Sequence, residues 1–259
     1  MIDSRAIIEP GAKIANNVEI GPFSIIGKDV EIGEGTQIGP HVVIEGHTKI
    51  GKNNKFYQFA CIGGVPQHKK YAGEDTLTEI GDENVFREFC TIHRGTIQGR
   101  GVTKIGNGNF IMNYVHIAHD CVIGNETIFT NNASLAGHVV VGNYVNLGGF
   151  AKVVQFCTLG DYCFVAGATD IAKDVPPYLL VGGYYEHLKI YGLNTIGLKR
   201  HGFSEETLKY LDMAYQIIYR QNLTTQQAIP ELEKLVPQCK EVQLFIDMLR
   251  NSKRGIIRK

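Results

Sequence analysis

The residues best suited to chemistry are three histidines and one aspartate that lie close together in the chain. His116, His119 and Asp120 are near neighbours in the sequence. Gly137 and His138 follow 18 residues after His119 and Asp120. An imidazole is a good proton acceptor near neutral pH, and an adjacent carboxylate can orient it. A glycine backbone amide can stabilise an oxyanion. We therefore interpret the cluster as a general base with an oxyanion donor, which is a combination suited to acyl transfer.

A metal centre is the alternative interpretation of the same histidines. His116, His119 and His138 could ligate zinc if one of them came from a neighbouring subunit. The adjacent Asp120 and the Gly137 amide are explained more directly by acyl transfer than by metal binding. The residues therefore favour acyl transfer over a metal centre.

A six-residue repeat sets the scaffold that positions these residues. Every sixth residue is large and apolar at all 25 positions tested, whereas a composition of 44% hydrophobic residues would give about 11 by chance. A smaller residue sits four positions after most anchors, and glycine often follows the anchor. The anchors are Ile8, Ile14, Ile20, Ile26, Ile32, Ile38, Ile44, Ile50, Phe56, Ile62, Ile80, Phe86, Ile92, Ile105, Ile111, Ile117, Ile123, Phe129, Leu135, Val141, Leu147, Val153, Leu159, Val165 and Ile171.

This repeat predicts a parallel β-helix in which three hexads close one triangular coil of about 18 residues, with coils about 4.8 Å apart. Residues 18 positions apart then lie in one column. His119, Gly137, Gln155 and Lys173 should form such a column, with His138 stacked on Asp120 beside it.

Two stretches break the repeat, and a different pattern follows it. Residues 64–78 and 94–104 are predicted to leave the β-helix as excursion loops, and such loops often carry binding residues. The β-helix is expected over residues 1–186. Residues 187–259 are expected to form a small α-helical domain that shields the last coil, with helices from Ser204, over 226–235, and through Val242 and Leu249.

Composition excludes several classes of function. The 26 basic and 26 acidic residues balance, so no basic field favours nucleic acid or an anionic membrane. No apolar run is long enough to span a bilayer, and the N-terminus lacks a signal-peptide pattern, so we expect a cytoplasmic protein without a transmembrane segment. Cys90, Cys121, Cys157 and Cys163 occupy the small-residue position of the hexad and are predicted to be core residues.

The full chain resembles the UDP-N-acetylglucosamine O-acyltransferases that begin lipid A synthesis. Hexapeptide repeats alone are weakly specific, whereas the histidine motifs and the helical tail are much more so. The motifs are His116-Ile117-Ala118-His119-Asp120-Cys121, Asn131-Asn132-Ala133-Ser134-Leu135-Ala136-Gly137-His138, Gln155-Phe156-Cys157, Lys70-Tyr71-Ala72-Gly73-Glu74, Thr91-Ile92-His93-Arg94-Gly95-Thr96, Asp174-Val175-Pro176-Pro177-Tyr178 and Gly197-Leu198-Lys199-Arg200-His201-Gly202-Phe203-Ser204.

The resemblance implies a left-handed β-helix, a homotrimer with active sites between subunits, and a cytoplasmic enzyme of a Gram-negative bacterium. It implies a 3-hydroxyacyl donor on acyl carrier protein and a UDP-sugar acceptor, with no metal and no diffusible cofactor. It makes His119 the general base, Asp120 its orienting partner and Gly137 the oxyanion donor. The remaining positions that it assigns to substrate are His68, Lys70, His116, His138, Gln155, Gly167, Asn194 and Arg200. Gly167 aligns with the glycine that sets acyl-chain length, and it leaves room for a long chain.

Three departures from the family pattern bear on the acceptor. The family usually has aspartate at His68 and histidine at Val154, and residues 182–191 carry an insertion before Asn194. The 3-amino analogue of the sugar is therefore an alternative acceptor. The hexapeptide scaffold is also compatible with an acetyl-CoA-dependent transferase, with a metal-dependent enzyme and with an inactive scaffold.

Overall fold

The chain winds into a three-faced prism of very short parallel strands, and α-helices follow the prism. The computed structural model describes residues 1–183 and 187–258. Most strands are only two residues long, because each hexad contributes one outward residue and one buried anchor before the chain turns a corner. The chain visits the three sheets in rotation as far as β25 (Asp170–Ile171). With its small helical part, this is the predicted left-handed parallel β-helix.

Three sheets form the faces of the prism. The first face contains β1 (Ile7–Ile8), β4 (Ile25–Ile26), β7 (Val43–Ile44), β10 (Cys61–Gly64), β13 (Thr91–His93), β16 (His116–Ile117), β19 (Ser134–Leu135), β22 (Lys152–Val153) and β25 (Asp170–Ile171). The second face contains β2 (Lys13–Ile14), β5 (Val30–Ile32), β8 (His47–Ile50), β11 (Leu77–Ile80), β14 (Val102–Ile105), β17 (Val122–Ile123), β20 (Val140–Val141) and β23 (Thr158–Leu159).

The third face contains β3 (Glu19–Ile20), β6 (Gln37–Ile38), β9 (Lys55–Phe56), β12 (Val85–Phe86), β15 (Phe110–Ile111), β18 (Ile128–Phe129), β21 (Asn146–Leu147), β24 (Phe164–Val165), β26 (Leu179–Gly182) and β27 (Lys189–Leu193). β26 and β27 pair antiparallel, unlike the parallel pairs elsewhere in the sheet. β27 therefore ends the growth of this face beside the last coil.

The register between coils places equivalent positions of the hexad in columns. Ile117 pairs with Leu135, and Leu135 pairs with Val153, each 18 residues further along. The anchors point inward, and Ile38 and Ile123 are 3% and 2% exposed. The four cysteines predicted to be core residues are fully buried. The predicted 18-residue coil is therefore confirmed.

Both interruptions of the repeat leave the prism at the same corner, between the first and second faces. One connects β10 to β11 and covers residues 65–76, and the other connects β13 to β14 and covers residues 94–101. The predicted ranges were slightly long, because residues 77–78 and 102–104 already pair in the second face. The corner that carries His119 is reached in the next coil.

The helical part begins later than the expected boundary at residue 187, because residues 189–193 form β27 and extend the third face. The helices are α1 (Thr195–Arg200), α2 (Glu205–Arg220), α3 (Thr225–Glu233) and α4 (Gln243–Asn251), with a 3₁₀ turn at Lys240–Val242. Ser204 caps α2 as predicted, accepting a hydrogen bond from the Thr207 amide. α1 was not predicted. Residues 184–186 of the expected insertion lie outside the described residues.

The tail also closes the open end of the prism. The Asp174 carboxylate accepts hydrogen bonds from the Thr158 amide and the Ser252 hydroxyl, at 2.7 and 2.6 Å. A parallel bridge joins Asp174 to Ile256. The last coil thus finds partners for its backbone in the C-terminal segment. None of the helices in residues 1–183 and 187–258 is long and apolar enough to cross a bilayer.

Candidate active site

The turn from β16 to β17 carries the two residues expected to start the chemistry. His119 Nδ1 lies 2.8 Å from Asp120 Oδ2. His119 is 4% exposed and Asp120 is fully buried. Asp120 has a φ of 61°, the left-handed conformation that recurs at the corners of this prism and lets the chain turn between faces. The pair leaves Nε2 of His119 as the atom that can exchange a proton with a substrate.

Gly137 lies directly above His119 in the next coil. A methyl group built on Gly137 would come within 2.6 Å of His119 Cε1 and 2.8 Å of Nε2. Only a glycine lets the imidazole lie this close to the backbone. Among the residues that the structure describes, the Gly137 amide has no acceptor. It is therefore a free donor beside the proposed base.

Two further imidazoles surround His119. The ring centroids of His68 and His138 lie 5.2 and 5.1 Å from that of His119, both in edge-to-face contact. His138 also stacks on Phe156, one coil further on, with centroids 4.5 Å apart. Nδ1 of His68 is buried and has no protein partner in the described part of the chain. The excursion 65–76 thus brings a side chain to the site that the repeat alone could not.

Electrostatics favour an ionised Asp120 and the neutral forms of His116 and His138. Burial tends to raise the pKa of Asp120, but hydrogen bonds from the Thr96 hydroxyl, from His119 and from two backbone amides together hold the pKa below its usual value. Burial lowers the pKa of His116, and the nearby His119 adds to this effect. The pKa of His138 is also lowered, mainly by burial. An ionised carboxylate in contact with an imidazole nitrogen can orient that ring as a general base.

An open cleft of about 480 Å³ faces His119 along the first face of the prism. The strands contribute its floor, since Ser134, Lys152 and Asp170 all point outward in one column. The residues that line the cleft are Gln67, His116, Ala118, His119, Ser134, Leu135, Ala136, Gly137, Lys152, Val153, Val154, Gln155 and Asp170. A substrate bound here would reach both the imidazole and the Gly137 amide.

His119, Asp120 and His138 also form a group that could hold a metal ion, with candidate ligand atoms within 4.8 Å of one another. The carboxylate is already engaged, because its two oxygens accept hydrogen bonds from Thr96, Arg100 and His119. A ligand with its lone pairs committed in this way fits a metal poorly. The donor set therefore suits acid–base chemistry better than zinc binding.

Comparison with known proteins agrees with this geometry. The C-terminal residues 174–257 match the family model described as UDP-N-acetylglucosamine O-acyltransferase, domain 2, and residues 29–64 and 102–137 match bacterial transferase hexapeptide repeats. The chain is 53% identical to the acyl-[acyl-carrier-protein]–UDP-N-acetylglucosamine O-acyltransferase of Pseudomonas entomophila over 257 residues, covering 99% of each chain. The chain belongs to this O-acyltransferase family.

Other members of the family support the assignment. The enzyme of the same name from Thiobacillus denitrificans is 51% identical, again with 99% of each chain covered. A solved UDP-N-acetylglucosamine O-acyltransferase from Moraxella catarrhalis superposes with a TM-score of 0.96 at 49% identity, covering 99% of both chains. The resemblance recognised in the sequence is thereby confirmed for the whole length of the chain.

Most of the residues that the resemblance assigns to the site lie near His119, but a few lie elsewhere in the structure. His116 and Gln155 line the cleft, and Lys70 is exposed on the excursion that carries His68. Arg200 is exposed in the last turn of α1. Asn194 caps that helix, since its side chain accepts from the Gly197 amide and donates to the Tyr162 carbonyl. The polar atoms of Asn194 are thus already in use within this chain.

Gly167 lies at the corner between the third and first faces, on the opposite edge of the first face from His119. It is exposed, and a methyl group built on it would lie 3.3 Å from the Gly149 carbonyl oxygen. A side chain at this position would therefore lie at the corner next to Gly149, one coil below. This placement is compatible with the role in chain length that the resemblance implies.

Sequence reasoning missed the residues that hold the aspartate. The Thr96 hydroxyl donates to Asp120 Oδ2 at 2.6 Å, and the Arg100 amide donates to Oδ1 at 2.7 Å. The repeat itself contains a signal for these contacts. Three hexads make one coil, so the excursion 94–101 falls at the corner one coil below His119, and this position predicts that the excursion contacts Asp120.

Proposed function

We propose that this protein transfers a 3-hydroxyacyl chain from acyl carrier protein to the 3-position of UDP-N-acetylglucosamine or of its 3-amino analogue, the first step of lipid A biosynthesis. The observation that carries the proposal is the His119–Asp120 pair at 2.8 Å, lying beneath the free Gly137 amide in an open cleft. Membership of a family whose relatives carry this activity in their names supports the same substrates.

His119 begins the reaction by removing a proton from the acceptor. Nδ1 faces Asp120, so Nε2 takes the proton from the hydroxyl or amine at the 3-position of the sugar. The oxygen or nitrogen of that group attacks the thioester carbonyl as the proton leaves. Asp120 keeps the imidazole in the correct tautomer and stabilises the positive charge that forms on it. General-base assistance of this kind contributes a rate factor of about 10² to 10⁴.

The Gly137 amide then stabilises the negative charge on the former carbonyl oxygen. The tetrahedral intermediate collapses by breaking the carbon–sulfur bond, and the proton held by His119 passes to the leaving thiolate. The acyl chain is now attached to the sugar, and acyl carrier protein leaves with its thiol restored. The thioester is already activated, so no covalent enzyme intermediate and no cofactor is needed.

A homotrimer is part of the proposal, and a surface feature supports association with further copies of the chain. The corner between the third and first faces carries a ladder of stacked, largely exposed rings, with successive centroids 4.8–5.2 Å apart. Its members are Phe23, His41, Phe59, Phe89 and Tyr114. Such a contiguous aromatic strip is typical of a surface that is covered by another protein surface.

We also propose that the protein acts in the cytoplasm, because the proposed acyl carrier protein donor is expected there.

The acceptor is tested by supplying both sugars together. Purified protein is incubated with a mixture of acyl carrier protein thioesters and equal amounts of the 3-hydroxy and 3-amino UDP sugars, and the products are identified by mass spectrometry. We expect an ester or an amide at the 3-position and a preferred chain length. A protein that forms neither product would contradict the proposed function.

Two variants connect any product to the site. His119→Ala should lower turnover by about 10²-fold or more without unfolding the protein, because the side chain transfers a proton and does not fill the core. Asp120→Asn should cost less, since it alters tautomer and basicity but leaves the base in place. Turnover of His119→Ala within a few-fold of wild type would mean that another group is the base.

An acetyl-CoA-dependent transferase is the competing proposal. The hexapeptide scaffold is compatible with it. The full-length relatives, whose names include acyl carrier protein as the acyl carrier, favour that donor instead. Parallel assays with acyl carrier protein and CoA thioesters of the same acyl chain separate the two. A higher kcat/KM for the CoA donor would overturn the assignment of acyl carrier protein as the partner.

A further inference from the structure

The excursion 94–101 and the start of β14 engage every polar atom of Asp120. The Asp120 amide donates to the Thr103 hydroxyl at 2.8 Å, and its carbonyl accepts from the Arg100 guanidinium at 2.6 Å. Oδ1 accepts from the amides of Thr96 and Arg100, at 3.1 and 2.7 Å. Oδ2 accepts from the Thr96 hydroxyl and faces Nδ1 of His119.

The excursion also packs closely against the Asp120 carboxylate. A methyl group built on Gly99 would lie 2.4 Å from the Asp120 carboxyl carbon, so the excursion passes over the acid with no room for a side chain. Thr96 is fully buried. A tolerated surface insertion would not need either feature, because loops of that kind lie in solvent. The excursion is therefore built around Asp120.

We propose that Thr96 is a positioning residue for the reaction, and that it acts through Asp120 to set the orientation and the basicity of His119. This inference rests on the proposed function for its kinetic consequences. Thr96 does not touch the cleft, and it contacts the carboxylate on the same oxygen that receives the imidazole.

Sharing one oxygen determines the sign of the effect. The Thr96 hydroxyl withdraws charge from Oδ2, so the carboxylate stabilises a protonated His119 less strongly than an oxygen without this donor would. Removing the hydroxyl leaves more negative charge beside the imidazole. The protonated form of His119 is then harder to deprotonate. The acidic limb of the kcat/KM profile should then move to higher pH. The rotation of the carboxylate is also less restricted, which lowers kcat.

A shift in the pH profile can be assigned to one group only if Thr96 bonds to no other charged group near His119. The titratable and charged groups that face it are Asp120, His138, His68, His116, His93 and Arg100. None of them forms a hydrogen bond with the Thr96 side chain apart from Asp120. A shift in the pH profile on changing Thr96 alone is therefore assigned to the carboxylate.

The test compares Thr96→Val with Thr96→Ser and with a matched control. Valine keeps the buried shape and removes the hydroxyl, and it should lower kcat about 10-fold with KM unchanged, as expected for one lost charge-assisted hydrogen bond. Serine should restore both kcat and the pH profile. The control is Thr127→Val, which removes an equally buried hydroxyl bond of 2.7 Å to Asn109 and should leave the profile unmoved.

A second measurement needs no substrate. The ring signals of His119 are followed by nitrogen-15 NMR during a pH titration and identified by their loss in His119→Gln. Their midpoint should move to higher pH in Thr96→Val and not in Thr127→Val. An unmoved midpoint in folded Thr96→Val would overturn the inference. If wild-type protein were inactive but the His119 midpoint were still shifted in Thr96→Val, the proposed function would be refuted. The influence of Thr96 on His119 would then remain supported.

Discussion

Replacing Gly137 with alanine separates the position of the catalytic imidazole from the oxyanion donor. The backbone amide is retained, so the proposed donor survives. The new methyl group would lie 2.6 Å from Cε1 and 2.8 Å from Nε2 of His119, whereas non-bonded carbon atoms rest about 3.5–4.0 Å apart. The ring must therefore retreat by about 1 Å. Gly137 is not in the left-handed region, so the backbone itself tolerates alanine.

The expected loss follows from this displacement. A misplacement of about 1 Å in a catalytic group can cost about 10²-fold in rate, so kcat should fall by that factor. The free energy of unfolding should fall by only about 1–3 kcal/mol, the usual cost of mild overpacking. The side chain that must move is at the edge of the cleft and not within the core.

The assay is steady-state turnover of Gly137→Ala, with thermal unfolding measured on the same protein. Gly27→Ala is the matched control, because its methyl group would meet neighbours no closer than 3.4 Å and lies far from the cleft. The control should keep wild-type turnover. Wild-type kcat in Gly137→Ala would refute the argument, since it would show that the reaction does not depend on where this imidazole lies.

Three further outcomes are expected. Ile123→Asp should destabilise the fold by several kcal/mol, because Ile123 is 2% exposed and an aspartate there would be buried without a partner; an unchanged melting temperature would contradict its place in the core. Burial lowers the pKa of His93 to about 4, so the protein should lose stability as pH falls from about 6.5 towards 4, by up to about 3 kcal/mol. Unfolding measured across this range should be less pH-dependent in His93→Phe, and equal slopes would disprove the assignment. Restoring the family residues with His68→Asp and Val154→His should shift acceptor preference towards UDP-N-acetylglucosamine, as kcat/KM on the two sugars would show; an unchanged ratio would exclude these positions as its cause.

The periodic part of the molecule could be predicted because each hexad carries its own structural information. An apolar anchor, a small residue and a turn recur every six positions, so the core and the 18-residue register follow from local pattern alone. The column of His119 and Gly137 came from the same arithmetic. The α2 cap at Ser204 was equally local.

The non-periodic parts were harder to predict, for a physical reason. A loop outside the repeat has no period to set its path, and its contacts depend on neighbours far away in sequence. The ring of His68 reaches His119, and Asn194 caps a helix that was not predicted. The start of the helical part was also misplaced, because β27 pairs antiparallel with β26 and its short sequence has no hexad pattern.

The sequence by itself determined the scaffold, the family and the residues that are able to transfer a proton. Only the tertiary structure decided how those residues are held. Thr96 and Asp120 are 24 positions apart, and their bond exists because the excursion leaves the prism at the corner just below His119. A buried carboxylate needs donors for all of its lone pairs, and the folded chain supplies them from whichever segment the stacking of the coils brings near.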